Sequence, residues 1–167
     1  IVYIYLIFTK KYYNSCMDRQ KVEYDVVSFL AKSLALRFKI NNKKFTHVIG
    51  ISRGGLLPAK IISYALEAKL LAFGISSYDG TKKKKDMQII QDIDFDSIPA
   101  DASILVVDDK VDTADTLNFV RDQIENRGCA SWTVRYATLF AEKRAKEKVN
   151  HYGILVPNNT WIDFPWE

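Results

Sequence analysis

The chain has 167 residues, 48% of them hydrophobic and 26% charged, with a formal net charge of +4. These values predict one globular domain with a substantial core. The positive charge is too weak to indicate a nucleic-acid partner. Two histidines and two cysteines argue against a histidine-based triad, a zinc site and a disulfide framework. We therefore expect a protein of the reducing cytoplasm.

The first segment, residues 1–8, is apolar and aromatic. It is far shorter than a membrane span, and no small-residue cleavage site follows it, so we expect neither stable membrane insertion nor a signal peptide. Met17 is a plausible start of the native protein. We expect residues 1–16 to be a non-native or disordered extension and residues 17–167 to form the domain.

The next segments predict a helix, a core strand and a second helix. Apolar residues recur at helical spacing through 24–38, residues 47–51 favour a buried strand, and a helix is expected over 56–68. A loop, residues 52–55, lies between that strand and the second helix. Its two glycines can expose backbone amides to an anion. Taken alone, the loop is better explained as a plain strand-to-helix turn with a surface arginine.

A second core strand is predicted over residues 70–77, and Gly80 interrupts the pattern. The lysine run at 82–85 is typical of a solvated loop, and residues 87–92 favour an edge strand. Beyond the central segment, strands are predicted over 132–140 and 149–156. The residues from 143 to 148 have the composition of a surface helix start.

The central segment opens with four apolar residues, 104–107, which predict a strand buried on both faces. Asp108 and Asp109 follow where the strand would emerge, and adjacent carboxylates need a cation or donors because they repel each other. Residues 112–116, which we call the motif loop, carry helix-capping types before a helix that Gly128 can end. Helix amides with threonine hydroxyls suit a phosphate, and the carboxylates suit sugar hydroxyls or a divalent metal.

The alternative for this segment is that Thr113 merely caps the helix and Asp115 only complements its dipole. That explanation gives no reason for the adjacent carboxylates of Asp108 and Asp109, which we call the acidic pair. Two of the three tryptophans, Trp161 and Trp166, lie in the last seven residues. They are candidates for core or interface anchors, and we expect Trp166 to be structural.

Residues 106–116 resemble the phosphoribosyl-pyrophosphate motif of the type I phosphoribosyltransferases. Residues 51–56, 75–79 and 160–167 resemble further segments, in the same order and at similar spacing, of the purine enzymes of that family, most of all its xanthine-guanine branch. The resemblance implies an α/β fold with one domain, a mostly parallel central sheet flanked by helices, and a small C-terminal hood, residues 160–167. It also implies Mg²⁺ as cofactor and a homo-oligomer.

The resemblance further implies a role for each matching residue. Asp112 would act as catalytic base or acceptor beside purine N7, and Asp108 and Asp109 would bind the ribose, with Asp109 also holding the metal. Lys143 is the candidate donor to the purine 6-oxo group, although Glu142 occupies the competing register. The remaining implied sites are Thr113, Ala114, Asp115 and Thr116 for the 5′-phosphate; Ser52, Arg53, Gly54 and Gly55 for pyrophosphate; Ser77, Tyr78 and Asp79 for the flexible closing loop; and Lys143, Trp161 and Ile162 for the purine.

The implied reaction transfers phosphoribosyl from phosphoribosyl pyrophosphate to a 6-oxopurine. The alternative is a sensor that binds phosphoribosyl pyrophosphate without turnover, although no nucleic-acid-binding appendage accompanies the motifs. The chain departs from its relatives at Ala114 and Asp115, where they carry glycine and then a small or basic residue. We expect Ala114 to fit if its backbone is helical, and Asp115 to repel phosphate unless it faces solvent. Relatives often carry a non-proline cis peptide in the loop that corresponds to residues 52–55, which we call the diphosphate loop because the resemblance implies pyrophosphate binding there.

Overall fold

The computed structural model describes residues 19–79 and 82–167, and for residues 77–79 and 82–86 it describes the backbone alone. The predicted N-terminal extension, residues 1–16, lies outside the described residues. The division of the chain at residue 17 therefore stays a prediction.

Strands and helices alternate along most of the described chain. The strands are β1 (Arg19–Lys21), β2 (His47–Ser52), β3 (Lys69–Asp79), β4 (Lys82–Gln91), β5 (Ser103–Val111), β6 (Thr133–Glu142), β7 (His151–Val156) and β8 (Trp161–Asp163). The helices are α1 (Tyr24–Ile40), α2 (Leu56–Leu66) and α3 (Asp115–Arg127), with short 3-10 helices at Phe95–Ser97 and Lys143–Lys148.

The main sheet has six strands in the order β4-β3-β2-β5-β6-β7. All neighbours in it are parallel except β3 and β4, which form an antiparallel hairpin. The hood strand β8 pairs in parallel with β1 in a separate two-stranded sheet, which an ion pair between Arg19 and Asp163 supports. The predicted α/β fold with a mostly parallel sheet is confirmed.

Apolar residues fill both faces of the sheet, as the hydrophobic strand sequences predict. Leu105 and Val106 are neighbours on β5, and they belong to different core clusters because successive side chains point to opposite faces. Phe38 of α1 packs in the first cluster, and Leu117 and Ile124 of α3 pack in the second. The sheet is therefore covered by helices on both sides.

Two expectations about strand ends are wrong. Asp108 and Asp109 were expected to follow the end of the strand at 104–107, but β5 continues through both residues to Val111 because its pairing with β6 persists, while its pairing with β2 ends at Val107. The lysine run at 82–85 was expected in a loop, but its backbone belongs to β4. This strand lies at the edge of the sheet, where lysines are well tolerated.

Candidate active site

The two predicted phosphate-binding loops lie at a change of direction in the sheet. From β2 the chain passes through α2 to β3 on one side, and from β5 it passes through α3 to β6 on the other. The carboxyl ends of β2 and β5 are adjacent, and ligands of open α/β sheets bind in a crevice at such a point. The diphosphate loop and the motif loop therefore flank one crevice.

Gly54 and Gly55 allow the diphosphate loop to approach β5 closely. A Cβ atom on Gly54 would lie 1.8 Å from Asp109 Oδ2, and one on Gly55 would lie 2.5 Å from the carbonyl oxygen of Val107. Only glycine fits at such distances. The peptide bond between residues 52 and 53 is cis, as expected from the family resemblance, and Arg53 is exposed.

The acidic pair on β5 is held in a partly buried position that disfavours its charged forms. Burial raises the pKa of Asp108 well above its usual value, and the charges of Asp109 and Asp112 raise it further. Burial likewise raises the pKa of Asp109 to about 6, against a hydrogen bond of 2.6 Å that the Lys110 amide donates to it. The Glu167 carboxylate also raises the pKa of Asp109. A cation or a set of hydrogen-bond donors from a ligand would stabilise the ionised forms of the two carboxylates.

The motif loop departs from its expected conformation at Ala114. This residue is the N-cap of α3 with φ 69° and ψ 14°, so its backbone is left-handed, where glycine is favoured, and the helical backbone on which its fit depended is absent. Thr113 is not the N-cap of α3, and the N-cap residue itself makes no side-chain capping hydrogen bond. Instead the Thr113 hydroxyl donates to Asp115 Oδ2 at 2.6 Å. The exposed Asp115 carboxylate is thus turned back toward Thr113, within the motif loop.

The hood presents one aromatic face and buries the rest. Trp161 is 52% exposed, and its Nε1 donates to Asp163 Oδ1 at 2.9 Å. The side chain of Ile162 is buried in the core, so only its backbone can meet a ligand in this arrangement. The rings of Trp166 and Phe164 stack with centroids 4.7 Å apart, which confirms the structural role expected for Trp166.

A charged cluster that the sequence reasoning missed lies between the motif loop and the hood. Glu142 is 1% exposed, and its Oε1 accepts from Lys110 Nζ at 2.9 Å. Its Oε2 accepts from the Asn159 amide and pairs with Arg144 Nη2, both at 2.9 Å. We call these four residues the Glu142 cluster. Lys143, the predicted purine ligand, is exposed beside it. The sequence feature that could have predicted this cluster is Lys110, because it lies diagonally across from Glu142 once β5 continues past the acidic pair.

The predicted closing loop and the metal site are only partly described. Ser77, Tyr78 and Asp79 form the end of β3, and their side chains lie outside the described residues. Among the described residues, no group of three or more histidine, cysteine, aspartate or glutamate side chains is arranged to hold a metal. Within the same residues, every helix is too short or too polar to cross a membrane.

The mostly parallel sheet and the crevice at its change of direction place the chain in the class of open α/β proteins that bind ligands at the carboxyl ends of their strands. Residues 18–167 match the family described as the phosphoribosyl transferase domain. The chain belongs to this family, and the resemblance recognised in its sequence is confirmed.

Several relatives resemble the chain over most of its length. It is 30% identical over 147 residues to the xanthine-guanine phosphoribosyltransferase of Idiomarina loihiensis, which covers 87% of this chain and 85% of the relative. It is 32% identical over 147 residues to the protein of the same name from Desulfotalea psychrophila, covering 87% and 84%. The crystal structure of a purine phosphoribosyltransferase from Pyrococcus horikoshii superimposes with a TM-score of 0.74 at 26% identity and covers 90% of this chain and 95% of that one.

Proposed function

We propose that the protein transfers the phosphoribosyl group of phosphoribosyl pyrophosphate to a 6-oxopurine, giving a nucleoside 5′-monophosphate and pyrophosphate. The observation that carries the proposal is the contact between the acidic pair of β5 and the glycines of the diphosphate loop. The names of the two bacterial relatives support a purine as acceptor and xanthine or guanine as candidate bases. Hypoxanthine is the third candidate.

The phosphoribosyl half of the site is assigned from the crevice between β2 and β5. Asp108 and Asp109 would accept hydrogen bonds from the two ribose hydroxyls. The 5′-phosphate would lie at the motif loop and the N-terminus of α3, where helix amides favour an anion. The departing diphosphate would lie on the diphosphate loop, with the exposed guanidinium of Arg53 as a fixed cation.

The base half of the site is assigned from the end of the motif loop and the hood. Asp112 is exposed at the motif loop and would accept or orient the proton at purine N7. The exposed indole of Trp161 would stack on the base, which contributes about 1–3 kcal/mol in comparable contacts. Backbone groups of Ile162 would read the purine edge. The contact of Lys143 with the 6-oxo group stays a prediction, as does closure by residues 77–79.

Mg²⁺ fits the donors that the site offers. The partly buried carboxylate pair resists ionisation and would be stabilised by a divalent cation. Magnesium is commonly held by one or two carboxylates together with substrate phosphates rather than by a full protein cage. Asp109, in contact with the diphosphate loop, is the residue we propose to hold it, and the ion would neutralise charge on the diphosphate.

Pyrophosphate release tests the proposal. The purified protein is incubated with phosphoribosyl pyrophosphate, Mg²⁺ and, in turn, xanthine, guanine, hypoxanthine and adenine. We expect release with at least one 6-oxopurine, none with adenine, and loss of release in Asp112→Asn but not in the exposed control Asp101→Asn. Saturable binding of phosphoribosyl pyrophosphate without release for any base would instead indicate a sensor of the same fold.

A further inference from the structure

The Glu142 cluster connects the two segments that carry the proposed base-binding residues. Beyond its bond to Glu142, Arg144 donates from Nε to the main-chain oxygen of Asp112 at 3.1 Å. Its backbone amide donates to Asn158 Oδ1 at 3.0 Å, in the turn that precedes the hood. Asn159, the next residue of that turn, donates directly to Glu142. A single buried carboxylate therefore joins β5, the motif loop and the approach to the hood.

We propose that Glu142 is a positioning residue that holds Asp112 and Trp161 at a fixed separation around the purine base. That the two residues surround a purine base rests on the proposed function. The hydrogen-bonded link between the motif loop and the hood does not. Glu142 belongs to β6, a strand inside the main sheet, so the link is anchored on a rigid element.

The energetics of a buried carboxylate explain why the link is stiff. An ionised carboxylate that leaves water must be paired and hydrogen-bonded. Here two cations and one backbone amide satisfy it, and the hydrogen bonds to a charged acceptor are the stronger kind. Movement of the turn at Asn159 away from the motif loop would leave part of this buried charge unpaired. The two segments are therefore expected to move together.

Kinetics provide the first test, with Arg144→Ala as the main variant. The Arg144 side chain is 40% exposed, so its removal disturbs folding less than removal of buried Glu142, and it cuts the connection to Asp112. We expect the KM for the purine to rise roughly tenfold while the KM for phosphoribosyl pyrophosphate changes by less than about twofold. The control is Lys146→Ala, an exposed residue of the same 3-10 helix. Equal changes in both KM values, or a change in neither, would overturn the proposal.

Amide hydrogen exchange provides a second test that needs no turnover. In Arg144→Ala and Glu142→Gln, residues 112–116 and 157–163 should exchange roughly tenfold faster, while residues 47–51 of β2 keep their protection. Exchange that changes only within 142–148 would overturn the link. If Glu142→Gln does not fold, Arg144→Ala decides alone. If the unmodified protein releases no pyrophosphate, the proposed function fails and the exchange result still decides the link.

Discussion

Replacing Asp109 with asparagine should stabilise the protein in the absence of ligands. The pKa of Asp109 is raised to about 6 from its usual 3.8 because the carboxyl is buried, with a smaller contribution from the Glu167 carboxylate. That difference corresponds to about 3 kcal/mol of cost for the ionised form at neutral pH. Since the side chain is still partly exposed, solvent screening reduces the gain to about 1–2 kcal/mol. Asparagine keeps the shape beside Gly54 and an oxygen for the Lys110 amide.

The pH dependence separates this electrostatic effect from a packing effect. An acid with a raised folded-state pKa contributes stability below its unfolded pKa and loses it as the pH rises through the folded value. The unmodified protein should therefore lose stability between about pH 4 and pH 6, and Asp109→Asn should lose less over the same range because only Asp108 then remains as a buried acid of the pair. The advantage of the variant should be small near pH 4 and complete near pH 7.

Thermal unfolding followed by circular dichroism, with a chelator present, measures the prediction. We expect the Tm of Asp109→Asn to exceed that of the unmodified protein by about 3–6 °C at neutral pH. Asp101→Asn, at an exposed position before β5, should change Tm little. In a separate measurement without the chelator, phosphoribosyl pyrophosphate with Mg²⁺ should stabilise the unmodified protein more than the variant. A variant that is less stable at neutral pH, or equally favoured near pH 4, would refute the reasoning.

The remaining predictions concern the two loops. Ala114→Val should lower the free energy of unfolding by about 2 kcal/mol or more because a β-branched residue strains the left-handed backbone. Ala114→Gly should change the free energy of unfolding by less than about 1 kcal/mol because the relieved strain opposes the loss of the buried methyl group. Denaturant unfolding measures both variants. Asp115→Asn should lower the KM for phosphoribosyl pyrophosphate several-fold, which corresponds to a binding free energy on the order of 1 kcal/mol, because it removes a charge beside the phosphate. An unchanged KM in steady-state assays would place the Asp115 carboxylate away from the phosphate. Gly54→Ala should displace the Asp109 carboxylate and reduce pyrophosphate release at least about tenfold, while leaving the circular dichroism spectrum of the fold in place.

The element types and their order were predictable because their signals are local. The apolar runs of β2 and β5 and the helical periodicity of α1 and α3 are properties of short segments. The ordered motifs also predicted the family. Predictions failed where an element ends, as at Val111, because the end of a strand depends on whether its neighbour still offers backbone partners.

The sequence by itself determined the class of fold, the acidic pair, the glycines of the diphosphate loop and the family to which the chain belongs. Only the tertiary structure decided that Gly54 touches Asp109, that Ala114 is left-handed, and that Lys110 and Glu142 pair across two strands. The physical reason is that periodicity and capping act within a few residues. Close approach, backbone strain and burial of charge instead depend on which distant segments the sheet brings together.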